Sequence, residues 1–283
     1  MGNSLRPQLN RTQEVVLSEK ANIAWSAIFA MIAVVIVAGN ALTIAAFTTR
    51  RLVRRRTLFF LVSLAIADMM VGAVAIPLYI YLCFQTGSQK GAVHHIYEAV
   101  DILSGLASVF TLAMISVERL FAIGWPLLHR ILRKRVYFVF IGLAWFSALT
   151  ISMINLLYRY KIVPYFATLD IVLTALLTSF VITCSAYVAL WIKVRFRNLN
   201  GLGREPDRRL AKTLCVVTGV FILTWMPFQS LLYVVHFCLT CPLPSQNAVN
   251  FIKFLQYCNS FINTVIYSLR MPEFRKAISE IFN

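Results

Sequence analysis

Seven long apolar stretches separated by short polar connections run along the chain, at Ile23–Thr49, Thr57–Phe84, Ile96–Ile123, Val136–Tyr158, Ile162–Ile192, Thr213–Val235 and Gln246–Leu269. A hydrocarbon core of about 30 Å takes roughly 20 helical residues to cross, and every stretch has at least that many. The pattern predicts an all-α membrane protein built as a bundle of seven transmembrane helices. After the seventh stretch, Phe274, Ile278, Ile281 and Phe282 recur at i, i+4, i+7 and i+8 with charges on the other face, which predicts a short amphipathic cytoplasmic helix under the membrane. The expected organisation is one domain over residues 1–283: a polar extracellular tail at 1–22, the helix bundle at 23–270 and the amphipathic helix at 272–283. The connections are too short to hold another folded domain.

Composition sharpens this picture. With 59% apolar residues among 283 and a mean hydropathy of +0.75, a water-soluble domain is excluded. The net charge of +16 gathers in alternate connections, with Arg50, Arg51, Arg54, Arg55 and Arg56 in the first and Lys193, Arg195, Arg197, Arg204, Arg208, Arg209 and Lys212 in the fifth. By the positive-inside rule the N-terminus lies outside and the C-terminus in the cytoplasm, as expected of a multi-pass plasma-membrane protein. Basic groups parcelled beside anionic lipid do not make a nucleic-acid surface. The outside tail carries one candidate glycosylation site, Asn10-Arg11-Thr12. No cleavable signal is expected, because the first apolar run is too long for an h-region. Arg6 stands where myristoylation wants Ser or Thr.

Six cysteines are present, and four of them sit within or at the ends of apolar helices as small apolar side chains. Cys238 and Cys241 share a short outside loop, where a local disulfide is one reading and zinc, with His236 as a third ligand, a weaker one.

An ionised group at mid-bilayer costs about 3 kcal/mol on insertion scales, so Asp68, Glu98, Asp101, Asp170, Lys253 and the Glu118-Arg119 pair each need a partner, water or a neutral form. Asp68 must face the bundle. Asn40, Ser108, Asn259, Ser260 and Asn263 lie at comparable depth, and an all-oxygen set around one carboxylate suits a hard, sodium-like cation; an interhelical hydrogen-bond cluster without an ion fits the same spacing. No other cofactor is expected.

Gly39-Asn40, Leu64-Ala65-Ile66-Ala67-Asp68, Glu118-Arg119-Leu120, Trp145, Tyr187, Thr224-Trp225-Met226-Pro227 and Asn263-Thr264-Val265-Ile266-Tyr267 fall in order, one signature per helix. Together they resemble the rhodopsin-like (class A) G-protein-coupled receptors over nearly the whole chain. The resemblance implies a ligand pocket open to the outside and a cytoplasmic face that engages a heterotrimeric G protein. It makes Glu118, Arg119, Asp207, Phe221, Pro227, Asn263 and Tyr267 the switch. Arg119 matches the arginine that holds the inactive state, and Asp207 the acid that pairs with it; a solvated loop charge is the other reading of Asp207. Pro227 frees a carbonyl one turn earlier and places a bend in the sixth helix. Asp68, Ser108, Asn259 and Asn263 form the candidate sodium-like site.

In its pocket pattern the chain is most similar to aminergic receptors. Asp101 aligns with the aspartate that pairs with protonated amines, Tyr257 with a tyrosine that bonds to it, and Trp225, Phe228 and Gln229 complete the expected pocket for a small extracellular ligand. Lys253, one turn outward of Tyr257, offers an alternative: its ammonium neutralises Asp101 or Glu98, and the ligand is a peptide, a lipid or an anion whose carboxylate Lys253 receives with Arg159 and Lys161. The sequence departs from the family in three places. His94 stands where the third helix usually begins with a cysteine, Ser179 replaces the fifth-helix proline, and the fifth helix offers only Thr174 as a hydroxyl to a catechol ring. Tyr257 stands where opsins carry the retinal lysine. A transporter or ion pathway is the reading from another class, but no inverted repeat is visible. An enzyme is not expected: His94, His95, His129 and His236 lie in or near loops as interfacial polar residues, without ligand or nucleophile spacing.

Overall fold

The computed structural model describes residues 19–48, 58–85, 90–199, 205–238, 240–242, 244–270 and 272–282; the side chains of 205–215 and of some other helix ends are outside that description. Among the described residues seven long helices appear, at Glu19–Thr48, Leu58–Phe84, Lys90–Gly124, Lys134–Arg159, Tyr165–Leu199, Glu205–Phe237 and Gln246–Arg270, and the ordinals below refer to these. A short helix, Pro126–Ile131, follows the third, and Pro272–Phe282 follows the seventh.

Several helices outrun their apolar stretches. The first starts at Glu19 rather than Ile23, so the tail expected at 1–22 gives up its last residues to the bundle. An acid in the first turn is favoured by the free N–H groups there, a signal that hydropathy does not carry. The third helix begins at Lys90, six residues before Ile96, and the fifth begins at Tyr165 rather than Ile162. Ile162 belongs instead to a turn that closes the fourth helix. There Lys161 adopts φ 60, its N–H reaches the Tyr158 carbonyl at 2.8 Å, and the Ile162 N–H reaches that of Leu157 at 3.0 Å. That double closure is a left-handed helix stop, and it fixes the direction in which Arg159 leaves the helix.

Six helices are long and apolar enough to cross a membrane among the described residues, and the seventh is more polar. Its polar residues point inward: Asn250, Gln256, Asn259, Ser260 and Asn263 are all buried. A helix whose polar groups find partners inside a bundle needs fewer apolar residues to remain in lipid. The third helix is the axis of the bundle, with 67% of its apolar window buried against 22% for the fourth. Residues such as Phe138, Val139, Phe146 and Leu149 on the fourth are exposed, as a lipid-facing surface requires.

Two glycines set close approaches. A methyl at Gly72 would lie 2.8 Å from Ile36 Cγ2, and one at Gly39 would lie 3.3 Å from Thr264, so the first helix packs tightly on the second and seventh. Thr43 Oγ1 and Thr264 Oγ1 share a hydrogen bond of 3.0 Å, and Asn40 Nδ2 donates to the Ser260 carbonyl at 2.9 Å. The second helix contains a π-turn, Val71–Ala75, just before Pro77. Proline supplies no N–H and crowds the carbonyl a turn back, and a wider turn relieves both. The fifth helix runs without a break, with Ser179 Oγ donating to the Ala175 carbonyl at 2.8 Å.

The face expected on Pro272–Phe282 divides. Phe274 is fully buried against Phe47 and Tyr267, with ring centroids 5.4 and 6.1 Å away, whereas Ile281 is exposed. The first residue locks the helix to the bundle and the second is left for lipid.

Candidate functional site

The third helix carries Tyr97, Glu98 and Asp101 within one turn and a half, and the seventh carries Lys253 and Gln256 on a facing turn. Between them lies a cavity of about 330 Å³, open at the end of the bundle that bears the sixth-to-seventh connection. Its apolar wall includes Ile102, Leu106, Val172, Leu176, Phe228 and Leu232, and Trp225 closes it. Two ion pairs line it. Lys253 Nζ lies 2.7 Å from Asp101 Oδ2, and Arg159 binds Glu98 through two nitrogens, with Nε to Oε2 at 2.7 Å. The side chains of the first pair are only 12% and 11% exposed, so in this setting each charge depends on the other.

Aromatic rings surround the lysine. Its Nζ is 4.7 Å from the Phe228 ring centre and 5.6 Å from those of Tyr97 and Tyr257, within the range of cation–π attraction. Of the residues expected in the pocket, Asp101, Trp225, Phe228 and Lys253 line the cavity and Gln229 does not. Tyr257 is 1% exposed and sits behind the wall, its hydroxyl 3.1 Å from that of Tyr97. The sixth helix turns Gln229 off the cavity face while Phe228 and Leu232, a turn apart, stay on it. Tyr79, Tyr97, Asn155, Tyr158 and Gln256 are lining residues that the sequence pattern does not single out, and Arg159, expected beside Lys253 as a receiver of a carboxylate, also lines the cavity. Tyr97 carried a usable signal, since it precedes Asp101 by four residues on one helical face.

Arg159 and Glu98 join the end of the fourth helix to the third near where the family's cysteine would stand. Ser152 Oγ adds a hydrogen bond to the Ala99 carbonyl at 2.7 Å. Cys238 and Cys241 form a disulfide with a Cα separation of 5.5 Å, so they hold the sixth-to-seventh connection and not zinc. His236 lies 2.8 Å from Asp170 Oδ1 and is nearly buried, which replaces its expected place as an interfacial polar residue.

Below the cavity, Trp225 lies against Gly105, where a methyl would come within 3.1 Å of the indole. The Phe221 ring is 5.7 Å from the indole and the Phe228 ring 5.9 Å, so an aromatic column runs down the sixth helix past Pro227. Val109, Leu112 and Ile115 of the third helix are buried in the same core. A second cavity of about 10 Å³, room for roughly one water, is lined by Ser108, Trp225, Asn259 and Ser260. Beside it the fully buried Asp68 accepts hydrogen bonds from Ser108 Oγ and Asn263 Nδ2, each at 2.9 Å. The Ser260 hydroxyl is a third donor to the same carboxylate. Asp68 and Ser108 bring hard oxygens to this point, of the kind a small monovalent cation takes, while Asn263 presents its amide nitrogen; no cluster of three His, Cys, Asp or Glu suited to a transition metal occurs among the described residues.

At the far end of the third helix, Arg119 Nε and Nη2 bind both oxygens of Glu118 at 2.5 and 2.6 Å. His129 Nε2 lies 2.9 Å from Glu118 Oε1 and from the Tyr137 hydroxyl, so His129, half-buried, joins a hydrogen-bond network with both. Asp207 is on the sixth helix, but its side chain is outside the described residues, as is all of Asn10. Tyr267 is buried with a hydroxyl that has no partner among the described residues, beside Phe47 and Phe274.

Comparison with known proteins agrees with this architecture. The family described as "7 transmembrane receptor (rhodopsin family)" matches residues 39–267. A protein of Amphibalanus amphitrite named "Probable G-protein coupled receptor No18" is 23% identical over 97% of this chain and 94% of its own length. The "Alpha-1A adrenergic receptor" of Oryzias latipes is 26% identical over 98% of this chain and 68% of its own, and the "D(1) dopamine receptor" of Carassius auratus is 26% identical over 85% and 83%. These are receptors and not enzymes. From the match over 39–267 and the helical bundle that carries it, the chain belongs to the rhodopsin family of seven-transmembrane receptors and is a multi-pass plasma-membrane protein.

Proposed function

We propose that this receptor is activated by an amine-bearing small molecule that enters the cavity from outside the cell and signals to a heterotrimeric G protein at the Arg119 end. The observation that carries the reading is the Asp101 carboxylate, held in the wall of a cavity of about 330 Å³ beneath aromatic rings. An ammonium group there gains an ion pair and cation–π contact together. The names of the adrenergic and dopamine relatives support the same ligand class. In the resting state Lys253 supplies the positive charge, and the ligand takes over from it.

Displacing the lysine loosens the third helix from the seventh. The ligand also presses on Trp225, from which the aromatic column and Pro227 carry movement down the sixth helix. Arg119 then leaves Glu118 for the G protein, with Asp207, Asn263 and Tyr267 as further switch residues. The ligand shifts a population between two helix arrangements and need create no new one. Asp68, with Ser108, Asn259 and Asn263, would hold a sodium-like ion whose charge offsets the buried carboxylate in the resting arrangement. With the N-terminus outside, Asn10 is open to glycosylation.

The test is nucleotide exchange on purified Gα proteins with the receptor in lipid discs and a panel of amines. Asp101→Asn should abolish the amine response while surface expression persists, and an unaltered response removes Asp101 from the role. Lys253→Gln should raise amine potency. A fall there, with a gain of response to carboxylates in the wild type, favours the second reading: an anionic ligand received by Lys253 and Arg159, with Asp101 a permanent partner of the lysine. Replacing sodium by choline should raise agonist affinity in the wild type and leave Asp68→Asn unmoved.

A further inference from the structure

The charge inventory of the cavity is balanced, with Glu98 and Asp101 against Arg159 and Lys253. A simple amine that takes Asp101 leaves the Lys253 ammonium buried without a counter-ion, and a simple carboxylate that takes Lys253 strands Asp101 in the same way. An unpaired buried charge is the costlier outcome in either case. A ligand that carries both signs avoids it.

We propose that the ligand is an α-amino-acid-like zwitterion whose ammonium binds Asp101 while its carboxylate binds Lys253. In such a molecule the two charged groups sit at hydrogen-bonding separation from each other, which matches the 2.7 Å between Lys253 Nζ and Asp101 Oδ2. Laid antiparallel beside the protein pair, they complete a square of alternating charges in which every ion has two opposite neighbours. The lysine moves sideways and is never abandoned, and Phe228, 4.7 Å from its ammonium, continues to face it.

Two further polar atoms lie in the lining at the cavity's inner end. Gln256 Oε1 and Trp225 Nε1 are buried without hydrogen-bond partners among the described residues, the first an acceptor and the second a donor, and both residues line the cavity. Burial of such groups unpaired is unfavourable, so a side-chain rotation that turns either atom from behind the lining toward a ligand is favoured. The volume, about 330 Å³, is at the small end of ligand sites and fits a single amino-acid-sized molecule with an apolar side chain against Val172 and Leu176.

This inference rests on the cavity being the ligand site of the proposed receptor, and it is tested by binding, apart from signalling. The purified full-length chain is titrated with matched trios that share one side chain: phenylalanine, phenethylamine and 3-phenylpropanoate; leucine, 3-methylbutylamine and 4-methylpentanoate. In at least one trio the zwitterion should raise the melting temperature at concentrations about tenfold or more below those needed by the amine or the acid, the effect of one added charged hydrogen bond. Lys253→Gln should erase the difference between zwitterion and amine while amine binding remains. Amines that match or exceed their zwitterions in every trio overturn the proposal, as does a panel in which nothing binds. Gα exchange is scored separately on the same samples. Zwitterion binding without exchange supports this inference and removes the coupling reading, whereas exchange driven by amines alone does the reverse.

Discussion

Near one end of the third helix Asp101 pairs with Lys253, and near the other Glu118 pairs with Arg119. Both pairs are largely buried, yet the first joins residues 152 positions apart and the second joins neighbours. The Glu118–Arg119 bond by itself fixes no distance between helices; at this end His129, 2.9 Å from both Glu118 Oε1 and the Tyr137 hydroxyl, reaches the fourth helix. The Asp101–Lys253 pair ties the third helix to the seventh, and opening it changes how they lie together. Under the proposed function the two ends have different tasks: the cavity end would convert occupancy into helix movement, and the Arg119 end would convert movement into exposure of a charge.

The largest effect should come from breaking the long-range pair. Lys253→Ala leaves Asp101 buried alone and should cost about 3–5 kcal/mol, read as a fall in the melting temperature of the purified receptor. The double variant Asp101→Asn with Lys253→Gln should recover most of that. A double no better than the single would show that the pair does not couple the helices. Next is the column between the ends. Gly105→Ala drives a methyl to 3.1 Å from the Trp225 indole and should cost about 1–3 kcal/mol as overpacking, while it weakens ligand-stimulated exchange more than ligand binding.

A smaller loss is expected from Glu98→Gln, which removes the charge from the clamp on Arg159. With side chains 28% and 22% exposed, that pair is partly screened, and the expected cost is about 1 kcal/mol, falling further in high salt. The smallest belongs to the Arg119 end. Tyr137→Phe loses the hydroxyl contact to His129 and should cost roughly 0.5–1 kcal/mol, with basal Gα exchange raised because the network that holds Glu118 is looser. If Tyr137→Phe destabilised the receptor more than Lys253→Ala, the comparison between the two ends would be reversed.

Much of the site was legible in the residues and much was not. Asp68, Asp101 and Lys253 stand out because a charge at mid-helix is unusual, Trp225 because Thr224-Trp225-Met226-Pro227 resembles the family's sixth helix, and the structure brings Asp101, Lys253 and Trp225 to one cavity. Gln229 is placed off the cavity and Tyr257 behind its wall, since a fraction of a helical turn decides whether a side chain meets the cavity or the packing beside it. Tyr97 carries no charge and does not stand out, and the Arg159–Glu98 pairing is not legible in the sequence. Arg159 reads as a loop charge until the turn at Lys161 shows how the helix ends, and His129 reads as an interfacial group until the short helix Pro126–Ile131 brings it to Glu118.

What the sequence decided alone is the number of membrane helices and the identity of the ionisable groups that lipid forces inward, because both follow from transfer free energies summed along one segment. Tertiary structure alone decided who pairs with whom: Lys253 with Asp101 and not Glu98, Arg159 with Glu98, and the buried polar face that lets the seventh helix remain in the bundle. Pairing depends on the angle and depth at which separate helices meet, and those are set by close contacts such as Gly72 on Ile36 and Gly105 on Trp225, which no single segment contains.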